Sequence, residues 1–158
     1  MPYSLRPFET GDAPALAALT LEAIRSNGAQ AYSPEQVEAW SSGHIDPARF
    51  VARAKDGHQI FVMADENGEP AAYALLEPDG HLDMLYCAPA HAGQGLASQL
   101  LGHAEKQAHR MGATRLHTEA SELARTPFER AGYTLLERRD FELRGIMIHN
   151  YAMEKPLN

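Results

Sequence analysis

Apolar positions recur with helical spacing over one long segment of the chain, Leu96, Leu100, Leu101, Ala104, Ala108 and Met111. Lys106 and Arg110 near its negative end, then Gly112, mark where this helix stops. On either side the pattern is that of strands. His58–Asp65, Pro70–Glu77 and His81–Cys87 are separated by the turns Glu66-Asn67-Gly68-Glu69 and Pro78-Asp79-Gly80, which predicts an antiparallel meander. Thr114–Ala120 follows the long helix. A helical crossover from His81–Cys87 makes those two strands parallel, a β-α-β unit.

The flanking segments complete the pattern. Tyr3–Phe8 reads as a first strand, at a sheet edge because of Pro7. Asp12 is placed to cap a helix running to Ser26, with Pro14 tolerated in its first turn. Ser33-Pro34-Glu35-Gln36 fits a capping box with Pro at N1, opening a second helix that carries Val37 and Trp40 as core. Pro47–Ala54 suits a short helical piece. Thr126-Pro127-Phe128-Glu129 is a second capping box, opening a helix closed by Gly132. Tyr133–Leu143 and Ile146–Glu154 are strands joined at Arg144-Gly145. The order β-α-α-β-β-β-α-β-α-β-β predicts one mixed α/β domain over residues 1–158, without repeats or linkers.

Composition narrows the function classes. The 158 residues are 44% hydrophobic and 22% charged, as in soluble globular proteins. The net charge of −7, with basic residues scattered, argues against a nucleic-acid partner and is compatible with a cationic substrate. A lone cysteine, Cys87, precludes an intrachain disulfide and suits a reducing cytoplasm. Neither an apolar leader core after Met1 nor a run of 18 apolar residues is present, so no membrane partner is expected.

The junction between His81–Cys87 and the long helix carries the chemistry. Ala88-Pro89 ends the strand, and the chain then passes Gly93-Gln94-Gly95 into Leu96, Ala97 and Ser98. Glycines let main-chain amides approach a ligand closely, and the first amides of a helix have no internal partner. Together they form an anion cradle suited to a pyrophosphate. No Lys-Ser/Thr follows as in a P-loop, and Ser98 stands where a dinucleotide fingerprint wants its third Gly or Ala.

With this element order, the loop resembles the GCN5-related N-acetyltransferase superfamily across nearly the whole chain. The family signature Gln/Arg-x-x-Gly-x-Gly/Ala falls on Ala92-Gly93-Gln94-Gly95-Leu96-Ala97, with Ala92 replacing the leading Gln/Arg. Phe128-Glu129-Arg130-Ala131-Gly132-Tyr133 resembles the family's aromatic-Glu-Arg/Lys-x-Gly-aromatic segment. Ala31–Gln36, Thr118–Ser121 and Arg144–Lys155 are similar to the YafP-like bacterial branch. The resemblance implies an acyl-CoA N-acyltransferase fold: a mixed, mostly antiparallel sheet with splayed parallel central strands, flanked by helices. It also implies acetyl-CoA as co-substrate, a small-molecule or peptide amine as acceptor, and relatives that are often homodimers. Pantetheine would run along Leu85, Tyr86 and Cys87. The pyrophosphate would lie on Gly93, Gln94, Gly95, Leu96, Ala97 and Ser98, with Ser121 and Phe128 bordering the arm from the other side.

Acetyl transfer to an amine needs a base for the amine proton and a way to stabilise or protonate the departing thiolate. Asp83 is the first candidate base. It sits four residues before Cys87, where histone-acetylating relatives carry a carboxylate, and by alternation shares a face with His81, Leu85 and Cys87. An apolar neighbourhood there would raise its pKa. Glu119 is the second candidate. Phe128 replaces the tyrosine that many relatives use as general acid, leaving Tyr32, Tyr133, Ser121 or water to serve; Tyr32 is expected to roof the acceptor site. Cys87 lacks an activating motif and reads as a small hydrophobe. Histidine spacing shows no chelating pattern, so no metal is expected. His117 shares a face with Glu119, to polarise the site or to pack. The rivals are a non-catalytic acyl-CoA-binding or regulatory module and a dinucleotide oxidoreductase, the latter disfavoured by the antiparallel meander.

Overall fold

A computed structural model describes residues 2–44 and 46–158; Met1, first residue of the expected leaderless N-terminus, lies outside them. The elements are β1 (Ser4–Pro7), α1 (Ala13–Gly28), α2 (Pro34–Ser41), α3 (Ala48–Lys55), β2 (Gln59–Ala64), β3 (Pro70–Leu76) and β4 (Leu82–Cys87). They continue with α4 (Leu96–Arg110), β5 (Arg115–Ala120), α5 (Arg125–Arg130), β6 (Thr134–Leu143) and β7 (Ile146–Pro156). This is the expected order with the short helical piece after Pro47 formed as α3, and it matches the acyl-CoA N-acyltransferase fold.

Strands β2 and β3 are buried almost throughout because helices cover both faces. Phe61, Met63, Ala72, Ala74 and Leu76 pack with Leu96, Leu100, Leu101 and Ala104 of α4. The alternate residues Ile60, Val62, Tyr73 and Leu75 pack with Leu16 and Leu19 of α1 and Phe50 of α3. Each fully buried leucine contributes roughly 1.5–3 kcal/mol, and Leu16 and Leu100 are both completely covered.

The sheet is built in two parts, β1-β2-β3-β4 and β5-β7-β6. One parallel bridge, His81 to His117, joins β4 to β5, and the Thr118 hydroxyl donates to the Leu82 carbonyl at 2.8 Å. Gly80, with φ +97°, lets the β3–β4 turn press against β5; a Cβ there would lie 2.1 Å from the Arg115 carbonyl oxygen. Beyond this seam the strands diverge, leaving the splayed centre that the resemblance implied.

Local chemistry follows sequence expectation with instructive exceptions. Ser33 and Gln36 form the expected reciprocal capping box, and the Gln36 amide donates onward to the Met147 carbonyl at 2.9 Å. Asp12 does not cap α1. Its carboxylate is taken by the Arg6 guanidinium and the Glu9 N–H, both at 2.8 Å. Helix α5 begins at Arg125 rather than at the Thr126 box, because the Ser121 side chain and carbonyl already accept the amides of Ala124 and Arg125. β7 runs to Pro156, two residues beyond expectation.

Candidate functional site

The splay opens two adjoining cavities. The larger, about 310 Å³, is walled by aromatic side chains of Tyr32, Trp40, Tyr86, Phe128 and Phe141 and carries Asp83, Glu119 and His149. The second, about 190 Å³, lies between β4 and α5, touching Leu85, Tyr86, Cys87, Ala97 and Leu100. Leu85, Tyr86, Ser121 and Ala124 border both. Trp40, expected in the core, is instead a wall of both cavities, set against Tyr32 at 5.6 Å and Tyr86 at 6.5 Å between ring centroids.

The glycine loop leads into α4 beside the second cavity. Gly93 and Gly95 have φ of +79° and +77°, and a Cβ at either would meet nothing within 4 Å among the described residues. Both glycines therefore face open space. The Gln99 N–H closes on the Gly95 carbonyl at 3.2 Å, and the amides of Leu96, Ala97 and Ser98 find no backbone acceptor among the described residues. This cradle fits a pyrophosphate, and the β4 edge beyond the His81 bridge fits an extended pantetheine arm.

Asp83 departs from the expected alternation. Met84 pairs with Leu75 and Leu82 with Leu76, so Asp83 is the extra residue of a β-bulge. Leu85 and Cys87 pack on the α4 side, whereas the Asp83 carboxylate turns to Arg53 of α3, at 2.9 Å. Its neighbourhood is thus an ion pair rather than an apolar face, and the reason is the bulge. Glu119 faces the cavity from β5, and its Oε1 bonds His81 Nε2 at 2.8 Å.

His81 was not singled out by sequence, yet it organises the seam. Its Nδ1 bonds Glu77 at 2.8 Å while Nε2 holds Glu119, which raises its pKa to about 9; the Glu119 bond is the largest cause, with burial opposing. The same bond keeps the Glu119 carboxyl below its ordinary range. Arg53 extends the network, bonding Glu77 at 2.7 Å and Asp83 at 2.9 Å. His81, His117 and Glu119 lie close enough for their donor atoms to share an ion, as do Glu77, His81 and Asp83. The His81 and His117 rings are stacked, 5.0 Å apart and 24° from parallel. Carboxylates already occupy both nitrogens of His81.

The remaining candidates separate by hydrogen bonding. Tyr32 lines the larger cavity, but its hydroxyl donates to the His149 carbonyl at 3.0 Å and accepts the Glu122 N–H at 2.8 Å. Cys87 directs its sulfur at the carbonyls of Ala88 and His91, and burial raises its pKa, as suits a structural thiol. Phe128 is buried and packs edge-on against Tyr133 at 4.9 Å. His44, on the cavity wall, is held neutral by burial, with its pKa lowered to about 4.

Comparison with known proteins gives this geometry its context. Residues 28–155 match the family model described as the acetyltransferase (GNAT) domain. The chain is 30% identical over 149 residues to the uncharacterized N-acetyltransferase YafP of Escherichia coli, covering 94% of this chain and 93% of that one. A crystal structure of a GCN5-related N-acetyltransferase from Rhodopseudomonas palustris superposes with a TM-score of 0.90 at 35% identity, covering 99% and 97% of the two chains. The Thermoplasma acidophilum PaiA N-acetyltransferase, solved with coenzyme A, shares the fold at TM-score 0.80 and 17% identity, with 99% and 100% covered.

Proposed function

Since the chain belongs to the GNAT acetyltransferase family and is an acyl-CoA-dependent acetyltransferase, we propose that it transfers the acetyl group of acetyl-CoA to a primary amine by direct attack. The supporting observation is the meeting of two cavities at Leu85, Tyr86, Ser121 and Ala124. The narrower one takes the pantetheine arm along Leu85, Tyr86 and Cys87, bordered by Ser121, and Phe128 faces the arm's end from the wall of the larger one. The pyrophosphate rests on the amides of Gly93, Gln94, Gly95, Leu96, Ala97 and Ser98. Acetyl-CoA supplies the activated acyl group as a thioester.

The acceptor enters the larger cavity, where Tyr32 and Trp40 form the wall and two carboxylates favour a cationic amine. Asp83 Oδ1 and Glu119 Oε2 make no hydrogen bond among the described residues. His81 weakens Glu119 as a base and fits it to hold an ammonium. Asp83 then accepts the amine proton, directly or through water. This reading takes residues 1–158 as one catalytic domain working in the cytoplasm, with neither nucleic acid nor membrane as partner. A homodimer, as in many relatives, is tested by sedimentation. Among the described residues no helix is long and apolar enough to cross a membrane.

The test is thiol release from acetyl-CoA with polyamines, amino acids, aminoglycosides and peptide N-termini as acceptors. Thermal stability is measured alongside, since a ligand at a hundred times Kd adds about 2.7 kcal/mol. A stabilising coenzyme with no thiol release from any amine would mean a non-catalytic acyl-CoA binder. No stabilisation at millimolar acetyl-CoA would overturn the coenzyme placement.

A further inference from the structure

Phe128 leaves the departing thiolate without the phenol found in many relatives, and the nearby hydroxyls do not replace it. Tyr86 borders both cavities, but burial pushes its phenol well above the ordinary tyrosine range and makes it a poor acid. Tyr32 has its only hydroxyl proton committed to the His149 carbonyl. Tyr133 is buried with no hydrogen-bond partner among the described residues, and does not border the cavity that Phe128 lines. Ser121 is an aliphatic alcohol, a far weaker acid than a thiol. His149 on β7 is different. It borders the same cavity as Phe128 and Ser121, with its side chain 14% exposed.

The imidazole is held on three sides. Nε2 bonds Glu122 Oε1 at 2.8 Å, and the same oxygen accepts the Tyr151 hydroxyl at 2.9 Å. The Tyr32 ring lies 5.2 Å away and the Tyr151 ring meets it edge-on at 5.7 Å. Arg125, stacked on Tyr151, and Arg138 complete the charged surroundings of Glu122. The His149 and Tyr151 hydrogen bonds keep the Glu122 carboxyl below its usual range, so it only accepts. Nε2 must therefore carry a hydrogen, and Nδ1 is the nitrogen that gains and loses a proton. Among the described residues Nδ1 makes no hydrogen bond. A histidine fixed through one nitrogen by a carboxylate, with the other free beside a reaction cavity, is arranged for proton transfer.

We propose that His149, oriented by Glu122, is the general acid that protonates the departing thiolate. The assignment rests on the acetyl-transfer reading above. The bound ammonium first loses one proton to solvent; as the resulting neutral amine nitrogen bonds the acyl carbon, a second proton passes to Asp83. The C–S bond then breaks, its electron pair stays on sulfur, and the Nδ1 proton of the His149 imidazolium moves to it. His149 is left neutral, still donating from Nε2 to Glu122. Asp83 returns its proton to solvent and His149 recovers one, so amine and acetyl-CoA give amide and free thiol.

The experiment is the pH dependence of kcat at saturating acetyl-CoA for wild type, His149→Gln and Glu122→Gln. An acid must be protonated to act, so wild-type kcat falls on the basic side. His149→Gln is expected to lower kcat roughly 10²-fold, with the KM for acetyl-CoA little changed and that basic limb abolished. Glu122→Gln removes the carboxylate that fixes the imidazole and should also lower kcat with the KM for acetyl-CoA little changed, and it decides the matter should His149→Gln fail to fold. Phe128→Tyr should raise kcat at least about tenfold more in the His149→Gln background than in wild type, which a packing role for His149 would not produce. A retained basic limb in His149→Gln, or an equal effect of Phe128→Tyr in both backgrounds, overturns the assignment. If wild type transfers no acetyl group, the acetyl-transfer reading fails instead. The imidazole NMR titration of His149 then still reports on its placement: it should change with CoA but not with desulfo-CoA, and identical curves count against a place beside the sulfur.

Discussion

Replacing His81 with Gln tests the clasp that closes the base of the splay. The imidazole lies between Glu77 and Glu119, 2.8 Å from each, with its side chain only 16% exposed. Its pKa rises from 6.5 in the unfolded chain to about 9 in the fold. At about 1.4 kcal/mol per pKa unit, that difference corresponds to roughly 3 kcal/mol. The folded value is the higher one, so this stability is fully present below 6.5 and is lost as pH rises through about 9. Glutamine never carries the charge and contributes no such dependence.

The assay is urea denaturation of wild type and His81→Gln from about pH 6 to about pH 10. The wild-type advantage should shrink by roughly 3 kcal/mol across that range. Taking the difference between the proteins removes titrations they share, including that of His44. His44 is held to about 4, so its contribution is present above 6.5 and lost as pH falls through that lower value. An advantage that stays constant within about 0.5 kcal/mol would show that the two carboxylates do not stabilise the imidazolium, and would refute the reasoning.

Gly95→Val should weaken CoA binding in calorimetric titration while circular dichroism is unchanged, because a β-branched side chain fills the cradle and resists φ +77°; wild-type affinity would place the phosphate elsewhere. Asp83→Asn should lower kcat roughly 10²–10⁴-fold with acetyl-CoA affinity retained, and Glu119→Gln should mainly raise the KM of a cationic acceptor. The opposite pattern would exchange the roles of the two carboxylates. Gly80→Ala should destabilise the fold by at least about 1–3 kcal/mol from its positive φ alone, with the Arg115 carbonyl adding to the cost. A melting temperature equal to that of wild type would show that the turn has room to move.

The helices, strands and turns were legible in the sequence because their signals are local. Helical spacing from Leu96 to Met111, the capping box at Ser33, and the glycines at 68, 80 and 112 each constrain a few neighbouring residues, and the elements formed where these signals placed them. The glycine loop was readable for the same reason, since a positive φ is a property of one residue. Where a local signal met competition it lost. Asp12 went to Arg6 rather than to a helix amide, and the box at Thr126 was pre-empted by Ser121.

Chain order and spacing thus determined a mixed α/β fold with a turn of two positive-φ glycines after its fourth strand. Tertiary structure alone decided which charged groups meet around it. His81 is clasped by Glu119, 38 positions away, and His149 by Glu122, 27 positions away; neither pairing leaves a trace in periodicity. Asp83 shows the limit most directly. Alternation places it with Leu85 and Cys87, but one bulged residue turns it to Arg53 on another element. Side-chain direction depends on the register between strands, and register is set by how β3, β4 and β5 pack together rather than by any one of them.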